Sequence, residues 1–303
     1  MEMRRVFEHV LGRAAARGVK TLFLFLDEVT AVRGWWRLLK YYVDAGALGR
    51  AVVTATGSST VGLLKTPERF PGRRGAGRDV VVLPLGFPTY LEALSPQPPE
   101  PAAVTELFYE YLETGGFPKA VNRHPDAASA LLDSVVSETY RHRRSPQMLK
   151  DLVADLLERV PSPVSNHALA QEMGVSHNAV RDYVEFLTDI YVVGVACAET
   201  GGRPQPRRER KIFFRDPLIY RVFAHWTSKP LNEAALLEHV VQGHLYRKFG
   251  YVYYRRNKTE IDAVAGPYKL EIKTARSRRG YPRDVQVLTR DAVPRFLLEL
   301  TET

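Results

Sequence analysis

The chain has 303 residues, 45% of them hydrophobic and 25% charged, a length and balance that fill two or three globular domains and exclude a disordered polymer. A formal charge of +9, from 43 Lys and Arg against 34 Asp and Glu, suits a phosphate-bearing partner, although a basic surface also serves solubility alone. No run of about 18 apolar residues is present to span a bilayer, and a single cysteine, Cys197, excludes an internal disulfide or a CxxC metal knuckle.

The first residues, MEMRRVFEHVLGRAAARG, lack the apolar centre of a signal peptide, so a cytosolic protein with no membrane partner is expected. Arginine outnumbers lysine and Met is scarce, in keeping with a thermophile and equally with genome composition alone. VFEHVLGRAAARG repeats apolar residues at helical spacing and stops at Gly18. TLFLFLDEV then reads as a strand whose continuous apolar run predicts burial on both faces of a parallel sheet. An amphipathic helix, WWRLLKYYVDAG, and a second strand, RAVVTATGSS, complete an α/β pattern. Asp27 and Glu28 fall at the carboxyl end of the first strand, where ligand sites of such sheets lie, and paired acids there cost desolvation unless they are used.

The strand ending in DE, the tryptophan helix, the strand ending in TGSS, then PGR and PLGF before a helix, resemble the second half of an AAA+ ATPase core, from Walker B to sensor. The likeness is to archaeal-type prokaryotic ATPases in which the core is followed by a winged helix and a nuclease-like domain. It implies that Asp27 holds a magnesium shell, Glu28 orients the attacking water, Ser58 or Ser59 senses the γ-phosphate, and Arg73 is a candidate arginine finger. The phosphate loop GxxxxGK[ST] that should precede the DE strand is missing. GRAAARGVKT, residues 12–21, has the right residue types at the wrong spacing. Either the core is shortened at its N-terminus, with its ATP-binding half lost or carried by a separate polypeptide, or it is retained as a scaffold. ATP is therefore expected to bind only if a phosphate loop comes from outside this chain.

PQPPEP, residues 96–101, predicts the first domain boundary, so residues 1–95 are assigned to the partial core. Residues 102–216 are expected to form a helical and winged-helix domain. VSNHALAQEMGVSHNAVRDYVEFLTDIYVV reads as helix, turn at Gly174, and a second helix capped by Ser176. YVVGVACAE and RKIFFRD are expected to flank a wing, TGGRPQPRRER. A DNA partner would meet His177, Asn178 and Arg181 at the start of the recognition helix, and Arg203, Arg207, Arg208 and Arg210 on the wing. The same unit used only for packing is the competing expectation.

Residues 217–303 are expected to form the third domain, of restriction-endonuclease-like α/β class. LNEAALLEHVVQGHLYRKFG is a helix carrying Glu238, and TEIDAVAG and YKLEIKTA alternate as strands turned at Gly266-Pro267. Glu271 and Lys273, two apart, share one face of a strand, and Asp262 comes from the neighbouring one. The set resembles the PD-(D/E)XK nuclease signature. It implies Mg²⁺ held by Asp262 and Glu271, Glu238 completing the shell, and Lys273 serving the attacking water. The helix that usually follows the lysine strand is absent, since only ARSRRGYPRD leads to VQVLTRD. The expected function is thus a DNA-associated ATPase-like protein with a nuclease-like domain, or else a DNA-binding or assembly protein with both acid clusters vestigial.

Overall fold

Apolar residues spaced by three and four turn one stripe of the first helix inward, and the next elements close over it. The computed structural model describes residues 2–57, 70–95, 97, 99–256, 260–275 and 280–302. The chain divides into two compact units, Met1–Val82 and Leu83–Thr303. In the first, α1 (Glu2–Ala16), β1 (Leu22–Leu26), α2 (Trp35–Asp44) and β2 (Ala51–Ala55) follow in order. β1 and β2 pair in parallel, from Leu22 opposite Ala51 to Leu26 opposite Ala55. Phe7, Trp35, Leu39, Tyr42 and Leu48 form the core, with Leu24, Leu26 and Val53 packed on it.

The other face of this sheet is open. Phe23 is 62% exposed, Phe25 74% and Val52 51%, so the strand expected to be buried on both faces is covered on one. The reason is that α1 and α2 both pack on the side of Leu24 and Val53, and no other described element covers the opposite side.

The second unit begins with α3 (Phe87–Leu94), α4 (Pro101–Thr114), α5 (Pro118–Val121), α6 (Ala127–Arg141) and α7 (Pro146–Arg159). The helix-turn-helix pair, α8 (Asn166–Met173) and α9 (His177–Asp189), follows. Next come β3 (Val193–Thr200), β4 (Arg203–Phe214), α10 (Pro217–Thr227) and α11 (Glu233–Phe249). The chain ends with β5 (Tyr253–Arg256), β6 (Glu260–Ala265), β7 (Tyr268–Lys273), β8 (Gln286–Thr289) and α12 (Val293–Glu302). The sheet order is β4-β3-β5-β6-β7-β8. α11 is buried from Ala235 to Leu245, and a helix enclosed on all sides is the axis around which such a unit packs.

Neither expected boundary coincides with a structural one. Residues 83–95 belong to the second unit because PLGF and GGFP interlock. The Leu85 amide donates to the Gly116 carbonyl at 2.7 Å, and a Cβ on Gly116 would lie 1.9 Å from the Leu85 oxygen. The Phe87 amide donates to His244 Nε2 at 2.8 Å, which leaves Nδ1–H to donate to the Val240 carbonyl. At residue 216 the sheet runs straight through, since β3 pairs in parallel with β5, Cys197 opposite Tyr253. The hairpin expected as a wing is therefore the edge of a six-stranded sheet.

Asp216 ties this junction together. Its carboxylate accepts from the Gly116 amide at 2.9 Å and from the Leu218 amide, at the start of α10, at 2.8 Å. Burial pushes its pKa up to about 6 despite those bonds. A carboxyl raised in the folded state adds stability that is fully present below its unfolded value and is lost as pH rises through about 6. Asp216→Asn leaves one amide unpaired and is expected to cost about 1–3 kcal/mol at pH 8. Its deficit in urea unfolding should widen between pH 6 and pH 4, where only the native chain gains; a gap independent of pH would contradict the raised carboxyl.

Candidate functional sites

The acid pair follows β1 at a sharp turn. Glu28 has φ 44° and ψ 38°, the left-handed region that a residue with a Cβ enters at a cost and that clusters at functional positions. The turn leads into a short 3₁₀ segment, Val29–Ala31, and both acidic side chains point to solvent. Thr56, at the end of β2, bridges them: its hydroxyl donates to Asp27 Oδ1 at 2.6 Å and accepts from the Glu28 amide at 3.1 Å. Arg73 lies on Asp44, with Nε donating to Oδ1 at 2.5 Å, and that bond holds Asp44 below the usual carboxylate range. Ser58 and Ser59 lie outside the described residues. Gly12 to Ala16 are helical, so their amides are committed to α1 and residues 12–21 build no phosphate cradle.

Ser165 and Ser176 cap α8 and α9, accepting from Ala168 and Ala179 at 3.1 Å, and Gly174 turns between them at φ 64°. Val180, Val184 and Leu187 bury one side of α9, which leaves His177, Asn178 and Arg181 exposed as expected of a recognition helix. The same outer side also carries Asp182 and Glu185, which lie 3.5 Å and 3.9 Å from the Arg181 guanidinium. Between β3 and β4 the turn is Gly201-Gly202, with φ 60° and 79°, a two-residue hairpin that only glycine adopts without strain. TGGRPQPRRER is thus mostly strand, not loop. The register jumps from Cys197 opposite Arg210 to Ala198 opposite Gln205, which places Arg208 on a bulge. Arg203 and Arg208 are exposed. Arg210 is half-buried, bridged to Val164 through its backbone, and burial lowers its pKa. The side chain of Arg207 lies outside those described.

Two of the acids expected at a metal site, Glu238 and Asp262, meet around a cation from the chain itself. The Lys211 ammonium, on β4, lies 2.8 Å from Glu238 Oε1, Glu260 Oε1 and Asp262 Oδ1, with its side chain 2% exposed. Gln242 Nε2 donates to Glu238 Oε1 at 2.8 Å and to the Asp262 carbonyl at 3.1 Å, and Asp262 Oδ2 accepts from the Ile272 amide. Burial works against the charge on Lys211; the carboxylates outweigh it and raise its pKa. Burial, with Asp262 nearby, pushes the Glu238 pKa up to about 8, against the pull of Lys211.

Glu271 and Lys273 share a face of β7, 2.6 Å apart, and Tyr281 donates to Glu271 at 3.1 Å. Glu271 Oε2 is buried without a hydrogen-bond partner among the described residues, and burial raises its pKa. Among the described residues no group of three or more His, Cys, Asp or Glu side chains is disposed to hold a metal. Of the acids expected around Mg²⁺, Glu238 and Asp262 are engaged by the Lys211 ammonium in this arrangement. The sequence reading passed over Lys211, although RKIFFRD puts it on the same strand face as the fully buried Phe213, where a lone lysine is out of place.

Lys211→Met would leave buried carboxylates without their cation and is expected to cost about 3–5 kcal/mol in urea unfolding. Adding Glu238→Gln should restore part of that loss, and strict additivity of the two changes would count against the cluster.

Residues 2–91 match a family model described as an AAA domain, and residues 105–229 match one described as a domain of unknown function, DUF8612. No curated protein and no solved structure matches the chain. The first match supports an AAA-like domain and an ATPase-like family. No helix among the described residues is long and apolar enough to cross a membrane.

Proposed function

We propose that the chain is an ATPase-like assembly protein that associates with DNA and, by itself, neither hydrolyses ATP nor cuts DNA. The observation that carries this is the Lys211 ammonium, 2.8 Å from Glu238, Glu260 and Asp262, which puts a cation of the chain itself where the nuclease reading needs a metal. On the ATPase side, Asp27 and Glu28, joined through Thr56, are the acid pair of an AAA-like site whose phosphate loop a partner polypeptide would supply, since residues 12–21 offer no cradle. The open apolar face at Phe23, Phe25 and Val52 supports such a partner. The capped α8–α9 pair, with His177, Asn178 and Arg181 exposed, supports contact with DNA.

The competing reading is a Mg²⁺-dependent nuclease built on Asp262, Glu271 and Lys273. It is favoured by Glu271 Oε2, without a partner among the described residues, and requires Lys211 to withdraw. Single-stranded, duplex and branched DNA incubated with the chain and Mg²⁺ or Mn²⁺ are expected to remain intact, and calorimetry should show no submicromolar binding of Mg-ATP. Metal-dependent cleavage that disappears in Lys273→Ala would replace this proposal with the nuclease reading.

A further inference from the structure

The positive charge is not where the helix-turn-helix lies. Residues 1–82 carry 14 Lys and Arg against 7 Asp and Glu, so +7 of the +9 belongs to them, while residues 83–303 carry 29 against 27. Three of the seven acids of the first unit are answered by ion pairs: Glu8 holds Arg4 at 2.9 Å, Asp44 holds Arg73, and Asp79 holds Arg74 at 2.9 Å. Arg5, Arg13, Arg17 and Lys20 are exposed and form no ion pair with a described residue.

Their placement is regular. On α1, Phe7 is buried, with Met3 and Leu11 packed beside it. At 3.6 residues per turn, Arg5, His9 and Arg13, spaced by four, fall on the opposite side. Arg17 and Lys20 extend the stripe past the helix end, where Gly18 turns at φ 64°. Cations near a helix C-terminus answer its dipole and need no ligand. That does not account for Arg5, in the first turn, where the positive end of the helix opposes a cation.

We infer that α1 and the turn after it bind the phosphate backbone of DNA without regard to sequence. This rests on the DNA association proposed above and assigns its electrostatic part to the first unit. Three of the four cations are arginines, whose planar forks match phosphate oxygens. A helix about 22 Å long presents them along a line, as a polyanion does. A lipid surface is disfavoured because a helix lying on a membrane offers its apolar face, and here that face is committed to Phe7 and the core.

The test is fluorescence anisotropy of a short labelled duplex of mixed sequence, titrated with the full chain at several salt concentrations. Replacing Arg5, Arg13, Arg17 and Lys20 by alanine should reduce the salt slope by about 3–4 and weaken binding near 0.1 M salt more than ~10-fold. Thermal unfolding should be little changed, and lysine at the three arginine positions should keep most of the slope. If the native chain binds duplex and the alanine variant keeps its slope, the inference fails while DNA association stands. No binding by the native chain at low salt overturns both. Binding to phosphatidylserine vesicles, with none to duplex, replaces DNA by a membrane as the partner.

Discussion

Three carboxylates around one buried ammonium constrain the second unit more than any other contact. Lys211 reaches from β4 to Glu238 on α11 and to Glu260 and Asp262 on β6, so a strand beside the helix-turn-helix, the central helix and the acidic strand must keep one arrangement. In a low-dielectric interior each ion is costly alone and tolerable only in company. The consequence for chemistry is direct: the cation that a nuclease would borrow from solution is here part of the chain.

A second constraint is steric. Gly116 has no room for a side chain beneath Leu85, and Gly115, at φ 67°, would place a Cβ 2.1 Å from Asp216. These close approaches lock PLGF, GGFP and the start of α10 into one junction, with His244 receiving the Phe87 amide. The AAA-like match extends to residue 91, so its last residues pack in the second unit. The limit of similarity and the limit of packing differ because the aromatic residues after residue 86, Phe87 and Tyr90, pack edge to face with Phe108 and Tyr111.

Charge and apolar exposure are concentrated in the first unit. Most of the net positive charge and the open sheet face both lie there, whereas the second unit is nearly neutral and buries its sheet against α11.

Local chemistry was legible in the sequence. The parallel strands at LFLFL and AVVTA, the turn at Gly174, the Ser176 cap, the Gly266-Pro267 turn and the shared face of Glu271 and Lys273 all stand as periodicity and turn preference predict. Each depends on residues within a few positions of one another. What the sequence left undetermined depends on distant partners. Lys211 meets Glu238 and Asp262 across 27 and 51 residues, β3 joins β5 across more than 50, and PLGF meets GGFP across about 30. Alternation within β1 could not reveal that one face is left open, because coverage is decided by the side on which α1 and α2 pack. Spacing placed Glu271 and Lys273 on one strand face, and resemblance alone implied that Glu238 and Asp262 meet; only the tertiary structure decided that a lysine from another strand stands between those two, since the nearest counter-charge in space is set by packing and not by position in the chain.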